Sequence, residues 1–447
     1  MKLTINKLGR IQHAEIDIRP LTVFIGPNGT NKTWTAYALY KALEFFARTT
    51  ISATKTTLKY IEQDRSDDKS LRALLRPLLN TLNQDPPPAR VEARLDVEEF
   101  NPIDTFIEIG AAPLQRLLLL RAPNLNQANA KVTFAFREFA SHLIALNVVM
   151  ERPLNRLVVR SVRADSSDAT EAVLTGPFSE GSIVHFVGRQ LHLTLNHVVV
   201  LPAERKGLVA TSQLLIGQIE QAVAQPLADF VRLLQLAHSM PAPIESERSA
   251  ALSRLLTKVI GGEIAFLPGE AGRQLVLRTT GGTVLPIASA SALSRAVAGL
   301  SIYLQHFVGP DDVLVIDELE MNAHPQAQVA LIEFIAALVN YGVRVVLTTH
   351  SPYIVDHLNN LMEAARLSSA AQEEIAPKFA LTTAQAFIPS DKVAVHAFEE
   401  ESPDGNVVVR DVLDRNSGLI DWSTFGRVSD HVSNLYGEIL EKSVQTK

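Results

Sequence analysis

The sequence predicts an α/β protein: a mixed sheet flanked by helices, with an inserted, mainly helical lobe. Three observations predict it. The apolar run Leu21–Ile25 breaks into a glycine-bearing loop, Gly26–Thr33, and then into a helical stretch, giving the order strand, loop, helix. Two later apolar runs, VLVIDELE (Val313–Glu320) and VRVVLTTH (Val343–His350), are each followed by a helical pattern, the alternation that builds strands joined by helices. Between about residues 50 and 195 this alternation loosens, which marks an insertion.

Taken in order, Met1–Ile5 and Ala14–Ile18 alternate apolar and polar residues and read as strands, with Gly9 in the turn between them. Leu21–Ile25 is mostly apolar and is expected to be buried on both faces. A helix runs from Lys32 to about Phe46. In the insert, RSDDKS and NQDPPPAR are loop signals, while leucine-rich stretches around Leu71–Leu82, Pro113–Leu120 and Phe134–Met150 read as amphipathic helices. His197–Leu208 (HVVVLPAERKGL) is a buried strand breaking into a charged turn. Residues 211–259 read as helical, 261–287 as a glycine-punctuated β-meander, and ASASALSRAVAGLSIYLQHF as a loop opening a helix. Helices follow from Pro325 to about Asn340 and from Pro352. A hairpin with a Pro-Asp-Gly turn and a final helix over about Val428–Leu440 complete the chain. The expected divisions are 1–50, 51–195, 196–290, 291–365 and 366–447.

Composition narrows the function classes. The chain has 447 residues, 47% hydrophobic and 20% charged, which is enough for one large core or two smaller ones. A net charge of −6 removes any global basic field for nucleic acid. With no cysteine, disulfides and thiolate metal sites are excluded, and a reducing cytosol is suited. The opening MKLTINKLGR lacks the apolar core of a signal peptide, and no apolar run reaches the roughly 18 residues of a membrane span. A cytoplasmic protein with no membrane partner is expected.

The chemistry begins at Phe24–Tyr40, FIGPNGTNKTWTAYALY, which nearly spells G-x-x-x-x-G-K-[ST]. Gly26, Lys32 and Thr33 are in place, but Asn31 stands where the pattern has its second glycine. A strand, a glycine turn and a helix start aim backbone N–H groups and a helix dipole at a phosphate. Pro27, Asn28, Gly29, Thr30 and Asn31 would form the cradle. Lys32 would reach the β- and γ-phosphates and Thr33 would offer its hydroxyl to Mg²⁺. The plain alternative is a glycine turn before a core helix. A second signal decides between them: Asp317, at the carboxyl end of an apolar strand, can hold Mg²⁺, and Glu318 beside it can orient and deprotonate the attacking water. His350, ending another strand, could contact the γ-phosphate or that water. Asparagine tolerates left-handed backbone best among the non-glycine residues. Asn31 therefore costs about 1 kcal/mol or less if the position needs φ > 0, and crowds the phosphates if the position needs no side chain. Slow, Mg²⁺-dependent ATP hydrolysis is expected.

In this order Gly26–Thr33, Asp317–Glu318 and His350 resemble the Walker A, Walker B and switch-histidine motifs of ABC-type ATPases, which implies a P-loop NTPase fold of the ABC-ATPase type. More narrowly, DELEMNAHP and TTHSPYIVDHLNNL resemble the AAA-labelled prokaryotic group allied to RecF and the OLD-family nucleases. That group includes ATPase subunits of Septu-like and PARIS-like anti-phage systems, and LPAERKGL is similar to a turn recurring in it. The resemblance covers residues 1–46 and about 280–445, and covers 50–195 poorly. It implies that ASASALSR holds the signature position, with Ser291 contacting the γ-phosphate of ATP held by a second subunit, although no glycine follows it as in many relatives. An ordinary helix N-cap is the alternative. By the same resemblance Glu204 and Arg205 could act as the glutamine loop does, or form a surface ion pair. Asn322 and His324 fall in the subunit-contacting loop, where helix capping is the simpler role.

The leading functional expectation is an ATPase whose nucleotide sites form between the subunits of a homodimer or higher oligomer. It would be the ATPase or sensor subunit of a prokaryotic defence or DNA-maintenance system, with a separate effector, a nuclease or toxin. The alternative is a nucleotide-gated scaffold with little hydrolysis that holds or releases such an effector. A self-contained OLD-type nuclease would need a Toprim Asp-x-Asp, whereas the tail offers Asp411 and Asp414. A transport ATPase would carry a Leu-Ser-Gly-Gly signature, which is absent. DNA stays open: Gly110–Ala164 holds eight Lys/Arg against two Asp/Glu, and Arg152, Arg156, Arg160 and Arg163 recur at helical spacing. A solvated face is favoured there over phosphate contact.

Overall fold

The computed structural model describes residues 1–51 and, with breaks at 212–222, 241–246, 270–271, 310–311, 402–404 and 416, residues 197–421. Between them it describes 76, 79–80, 90–96, 105–110, 131–136, 143–151, 156–163, 170–175 and 183, and beyond them 431 and 433–439. Strands β1 (Lys2–Leu8) and β2 (Ile11–Asp17) run longer than their alternation marks, and β3 (Leu21–Ile25) is buried throughout. Helix α1 spans Lys32–Ile51.

The chain forms two compact units. The first comprises Met1–Leu3, Leu39–Ile109 and Val132–Val198. Besides the end of α1, its named elements are strands: β4 (Arg90–Asp96), β5 (Thr105–Gly110), β6 (Lys131–Phe136), β7 (Leu143–Glu151), β8 (Arg156–Arg163) and β9 (Thr170–Thr175). An antiparallel sheet runs β4-β7-β8-β9. This corrects two expectations for the insert. Phe134–Met150 is not an amphipathic helix: residues 134–136 end β6 and 143–150 make most of β7, while 137–142 lie outside the described residues. There Val148 and Val149 face Ala93 and Glu92 on one side and Val159 and Val158 on the other, and β-branched pairing outweighs leucine content. The arginine spacing is likewise not a helical stripe, because Arg156 and Arg160 lie on β8, opposite Glu151 and Glu171. Of the other expected helices there, residues 76, 79 and 80 are helical, and Pro113–Leu120 and Arg152 lie outside the described residues.

The second unit comprises Thr4–Ala38, Gly110–Lys131 and Val199–Lys447. After β10 (Val198–Leu201) come α2 (Arg205–Thr211), α3 (Gln225–Ser239) and α4 (Glu247–Ile260). The expected meander follows as β11 (Gly262–Gly269), β12 (Gly272–Thr279) and β13 (Val284–Pro286), an antiparallel three-stranded sheet. Then come α5 (Ala292–His306), β14 (Val313–Ile316), α6 (Pro325–Tyr341), β15 (Arg344–Thr349), α7 (Pro352–Ala365), α8 (Ser369–Ile375) and the hairpin β16 (Val393–Glu400) and β17 (Val407–Asp411).

The main sheet runs β10-β14-β15-β3-β16-β17-β2-β1 in this unit. β14, β15, β3 and β16 are parallel, and β17 turns back antiparallel on β16, so the sheet is mixed. The alternation of β3 sorts its side chains. Leu21, Val23 and Ile25 join the large core with residues of α3 to α7. Phe24 faces the other way, against Phe398 at 5.2 Å and His396 at 6.2 Å. Helix α6 is buried without a break from Ala330 to Val339, so it is a core helix, not a surface one. Its one acid, Glu333, is fully buried. It accepts from His357 Nε2 (2.8 Å) and from the N–H groups of Ala380 (2.9 Å) and Leu381 (2.7 Å), which offsets the cost of burying the charge. Among the described residues no helix is long and apolar enough to cross a membrane.

Candidate active site

Parallel pairing sets the site. Ile25, the last residue of β3, is in register with Thr349 at the end of β15, and Ile316 of β14 with Leu347. Three loops therefore open at one sheet edge, the edge where parallel α/β sheets hold ligands.

Gly26 has φ +137°, and a Cβ there would collide with the Phe398 carbonyl oxygen, so only glycine fits where β3 enters the loop. Asn31 has φ +67°, the left-handed geometry. Its Oδ1 accepts the Arg10 N–H at 3.0 Å, and its side chain lies against Gly9 in the β1–β2 turn. The side chain is thus engaged with that turn, and asparagine supplies the backbone angle. Asn31→Gly is expected to leave turnover unchanged and to cost about 1 kcal/mol in denaturant unfolding, because the Arg10 N–H loses its acceptor. A severalfold rise in phosphate release would show that Asn31 crowds the phosphates after all.

Lys32 is buried, its Nζ donating to the carbonyls of Gly26 (2.9 Å) and Pro27 (2.6 Å) and to Thr30 Oγ1 (3.3 Å). Burial lowers its pKa to about 8, against the opposing pull of Asp317, Glu318 and Glu320. α1 hydrogen bonding is established by Thr35 N–H to Asn31 O (2.9 Å), and the N–H groups of a helix's first turn have no partner within it. That is the anion-binding end of the element.

Thr33, at the start of α1, donates to Asp317 Oδ1 at 2.9 Å. Thr348 Oγ1 donates to the same oxygen at 2.6 Å, and Tyr37 OH donates to Oδ2 at 3.1 Å. Tyr37 lies one helical turn beyond Thr33, which puts both hydroxyls on one face. Burial first, and then Asp317, hold Tyr37 protonated well above its ordinary range. A hydroxyl beside a carboxylate is the donor set Mg²⁺ takes when nucleotide phosphates and water complete its shell, so Thr33 and Asp317 fit that ion. Among the described residues no group of three or more His, Cys, Asp or Glu could hold a metal alone.

Glu318 has φ +49°, an uncommon geometry for a non-glycine residue, and its N–H donates to Thr348 Oγ1 at 2.8 Å. Desolvation, then Asp317 and Glu320, raise its pKa, and Arg205 opposes them. Glu320 Oε1 accepts the His350 N–H at 2.5 Å. Desolvation raises its pKa as well. At His350, burial and the Lys32 charge lower the ring's pKa, while a hydrogen bond to the Gly26 backbone and the Asp317 charge pull the other way. Gly26, Lys32, Thr33, Asp317, Glu318 and His350 therefore lie together.

Ser291 is not joined to that group. It is exposed and caps α5, its Oγ accepting the Ser294 N–H at 3.1 Å and sharing a 2.8 Å hydrogen bond with Ser294 Oγ. His324 caps α6, accepting the Gln326 N–H at 3.3 Å, and Asn322 accepts from Lys206 at 3.2 Å. Arg205 corrects the surface ion-pair expectation. Glu204 is exposed, but the arginine is buried and its guanidinium binds main-chain carbonyls. Sequence reading missed Tyr37, Glu320 and Thr348. Their signals were the four-residue step from Thr33, the second acid of DELE and the polar TT before His350.

The sheet order, the loop and the acids make an α/β fold of the P-loop ATPase type. Residues 277–356, spanning α5, the acids and His350, match the family model described as "AAA domain, putative AbiEii toxin, Type IV TA system". Among solved structures the chain is similar to an SMC head bound to the C-winged helix domain of ScpA, at 12% identity and TM-score 0.37, covering 93% of this chain and 98% of that one. It is similar to the SMC head domain from Thermotoga maritima (10%, 0.33; 92% and 98%). A third is an Smc head domain with an extended coiled coil bound to the C-terminal domain of ScpA derived from Pyrococcus furiosus (11%, 0.34; 97% and 98%). At these TM-scores the fold is read from the chain's own strand order. No curated protein matches the chain significantly.

Proposed function

We propose that the chain binds ATP on Gly26–Thr33 and hydrolyses it in a Mg²⁺-dependent reaction. The observation that carries this is the Thr33–Asp317–Thr348 hydrogen-bond group, which joins the phosphate loop to acids 284 residues away in sequence. Loop N–H groups and Lys32 bind the phosphates. Thr33 and Asp317 hold Mg²⁺, which supplies charge neutralisation when bound. Glu318 takes the proton of the attacking water, and its raised pKa brings its basicity closer to neutral pH. His350, beside Gly26 and Lys32, orients the γ-phosphate or that water.

The binding half of the reading is tested by calorimetry in EDTA. Lys32→Ala is expected to weaken ATP binding by at least tenfold, on the order of one charge-assisted contact. Equal affinity would remove Lys32 from the site. The lysine also gives a pH signature. In the free protein it loses its proton as pH rises through about 8, and phosphate anions restore the charged form. ATP binding near pH 8.5 is therefore expected to take up a proton, read as a dependence of binding heat on buffer ionisation enthalpy, and to weaken as pH rises further. Stability moves in the opposite sense. Between about 8 and lysine's ordinary 10.5 the unfolded chain holds a proton that the folded chain lacks, so the cost that burying this group imposes on folding falls as pH rises across that window.

The matched family model's description names a toxin and a toxin–antitoxin system. That supports a place for this ATPase in a prokaryotic defence system; our reading adds a separate effector, a nuclease or toxin, and a cytoplasmic setting. Ser291 would complete the nucleotide site of a second copy.

A further inference from the structure

We propose that Arg205 is a positioning residue that clamps the backbone of Glu318 in its reactive shape and ties it to helix α5; this rests on the ATPase reading above. Arg205 is 2% exposed and stands at the start of α2. Nε donates to Ala296 O on α5 at 2.8 Å. One terminal nitrogen donates to Pro202 O (3.0 Å) and Asp317 O (2.6 Å), and the other to Glu318 O (2.9 Å) and Leu319 O (3.5 Å). None of these acceptors is a carboxylate. A buried cation that spends its hydrogen bonds on carbonyls fixes main-chain shape, and arginine's planar fork suits that where lysine's point charge does not.

The shape it fixes is that of Glu318. The peptide plane before Glu318 is held at both ends: Asp317 O by Arg205, and Glu318 N–H by Thr348 Oγ1 at 2.8 Å. The plane after it is held in the same way: Glu318 O by Arg205, and Leu319 N–H by Thr348 O at 3.3 Å. Those two planes define the φ and ψ of Glu318, so the φ of +49° is set between Arg205 on one side and Thr348 on the other. A left-handed glutamate is unfavourable alone and persists where its surroundings over-determine it. The Ala296 bond adds a second consequence. α5 is the helix capped by Ser291, so a shift of that helix moves the group that holds Glu318.

The experiment compares wild type, Arg205→Lys, Arg205→Gln and Glu318→Gln in ATP affinity, turnover and melting. Arg205→Lys keeps the charge and loses the fork. It is expected to bind ATP within about threefold of wild type while kcat falls about 100-fold, the scale of a misplaced catalytic group. Arg205→Gln should fall at least as far. Should Arg205→Gln not fold, Arg205→Lys carries the test. There, amide exchange at Glu318 and Leu319 should quicken while β14 stays protected. A folded Arg205→Lys with kcat within about twofold of wild type would overturn the proposal, and so would affinity and kcat falling together. If wild type and Glu318→Gln release phosphate equally, the ATPase reading fails and the positioning role goes with it.

Discussion

Glu318→Gln is expected to bind ATP as tightly as the wild type and to cleave it about 10²–10⁴-fold more slowly, the range a general base contributes. The substitution is nearly isosteric. The backbone contacts that hold the residue, from Thr348 and Arg205, run through its N–H and C=O and do not involve the carboxylate. The phosphate loop, Lys32 and the Thr33–Asp317 pair are untouched, so binding has no reason to fall. Removing one acid from a group that also holds Asp317 and Glu320 relieves like-charge repulsion, which favours the ATP-bound state further. Single-turnover phosphate release beside equilibrium binding separates the two effects. If binding and cleavage fell together, Glu318 would be a structural acid.

Ser291→Asp is expected to lower turnover at least tenfold and to suppress any ATP-dependent dimer, with little change in melting temperature. Aspartate caps a helix as well as serine does, so the Ser294 N–H keeps its acceptor and α5 keeps its start. If Ser291 faces the γ-phosphate of ATP on a partner copy, the new carboxylate repels that anion. The substitution therefore separates the two roles that a serine at a helix start can play. Unchanged turnover, with unchanged sedimentation in ATP, would leave Ser291 as a cap and nothing more.

Local pattern made much of this unit legible in the sequence. β3, the meander, α5, α6, β15, α7 and the β16–β17 hairpin follow from runs of apolar residues and from Gly, Pro and Ser at their ends. The grouping of Gly26–Thr33 with Asp317, Glu318 and His350 was legible because each stands at the carboxyl end of an apolar strand, and parallel strands bring those ends to one edge. What was not legible depended on partners distant in sequence. Arg205 reads as a surface charge because charged runs such as Glu204-Arg205-Lys206 are usually solvated, and only the fold shows that carbonyls from Ala296 and Asp317–Leu319 surround it. The Asn31 side chain could not be placed without the β1–β2 turn, whose Arg10 N–H it accepts. In the insert, leucine content pointed to a helix at Phe134–Met150, but strand pairing with β4 and β8 decides the outcome there.

The central claim is that the loop, the acids and the histidine form one phosphoryl-transfer site. It is tested most directly by phosphate release from ATP and Mg²⁺ with wild type, Lys32→Ala and Glu318→Gln measured side by side. The expected result is slow release by the wild type, and release by both variants reduced to the background of an EDTA control. Equal release from all three proteins would contradict it.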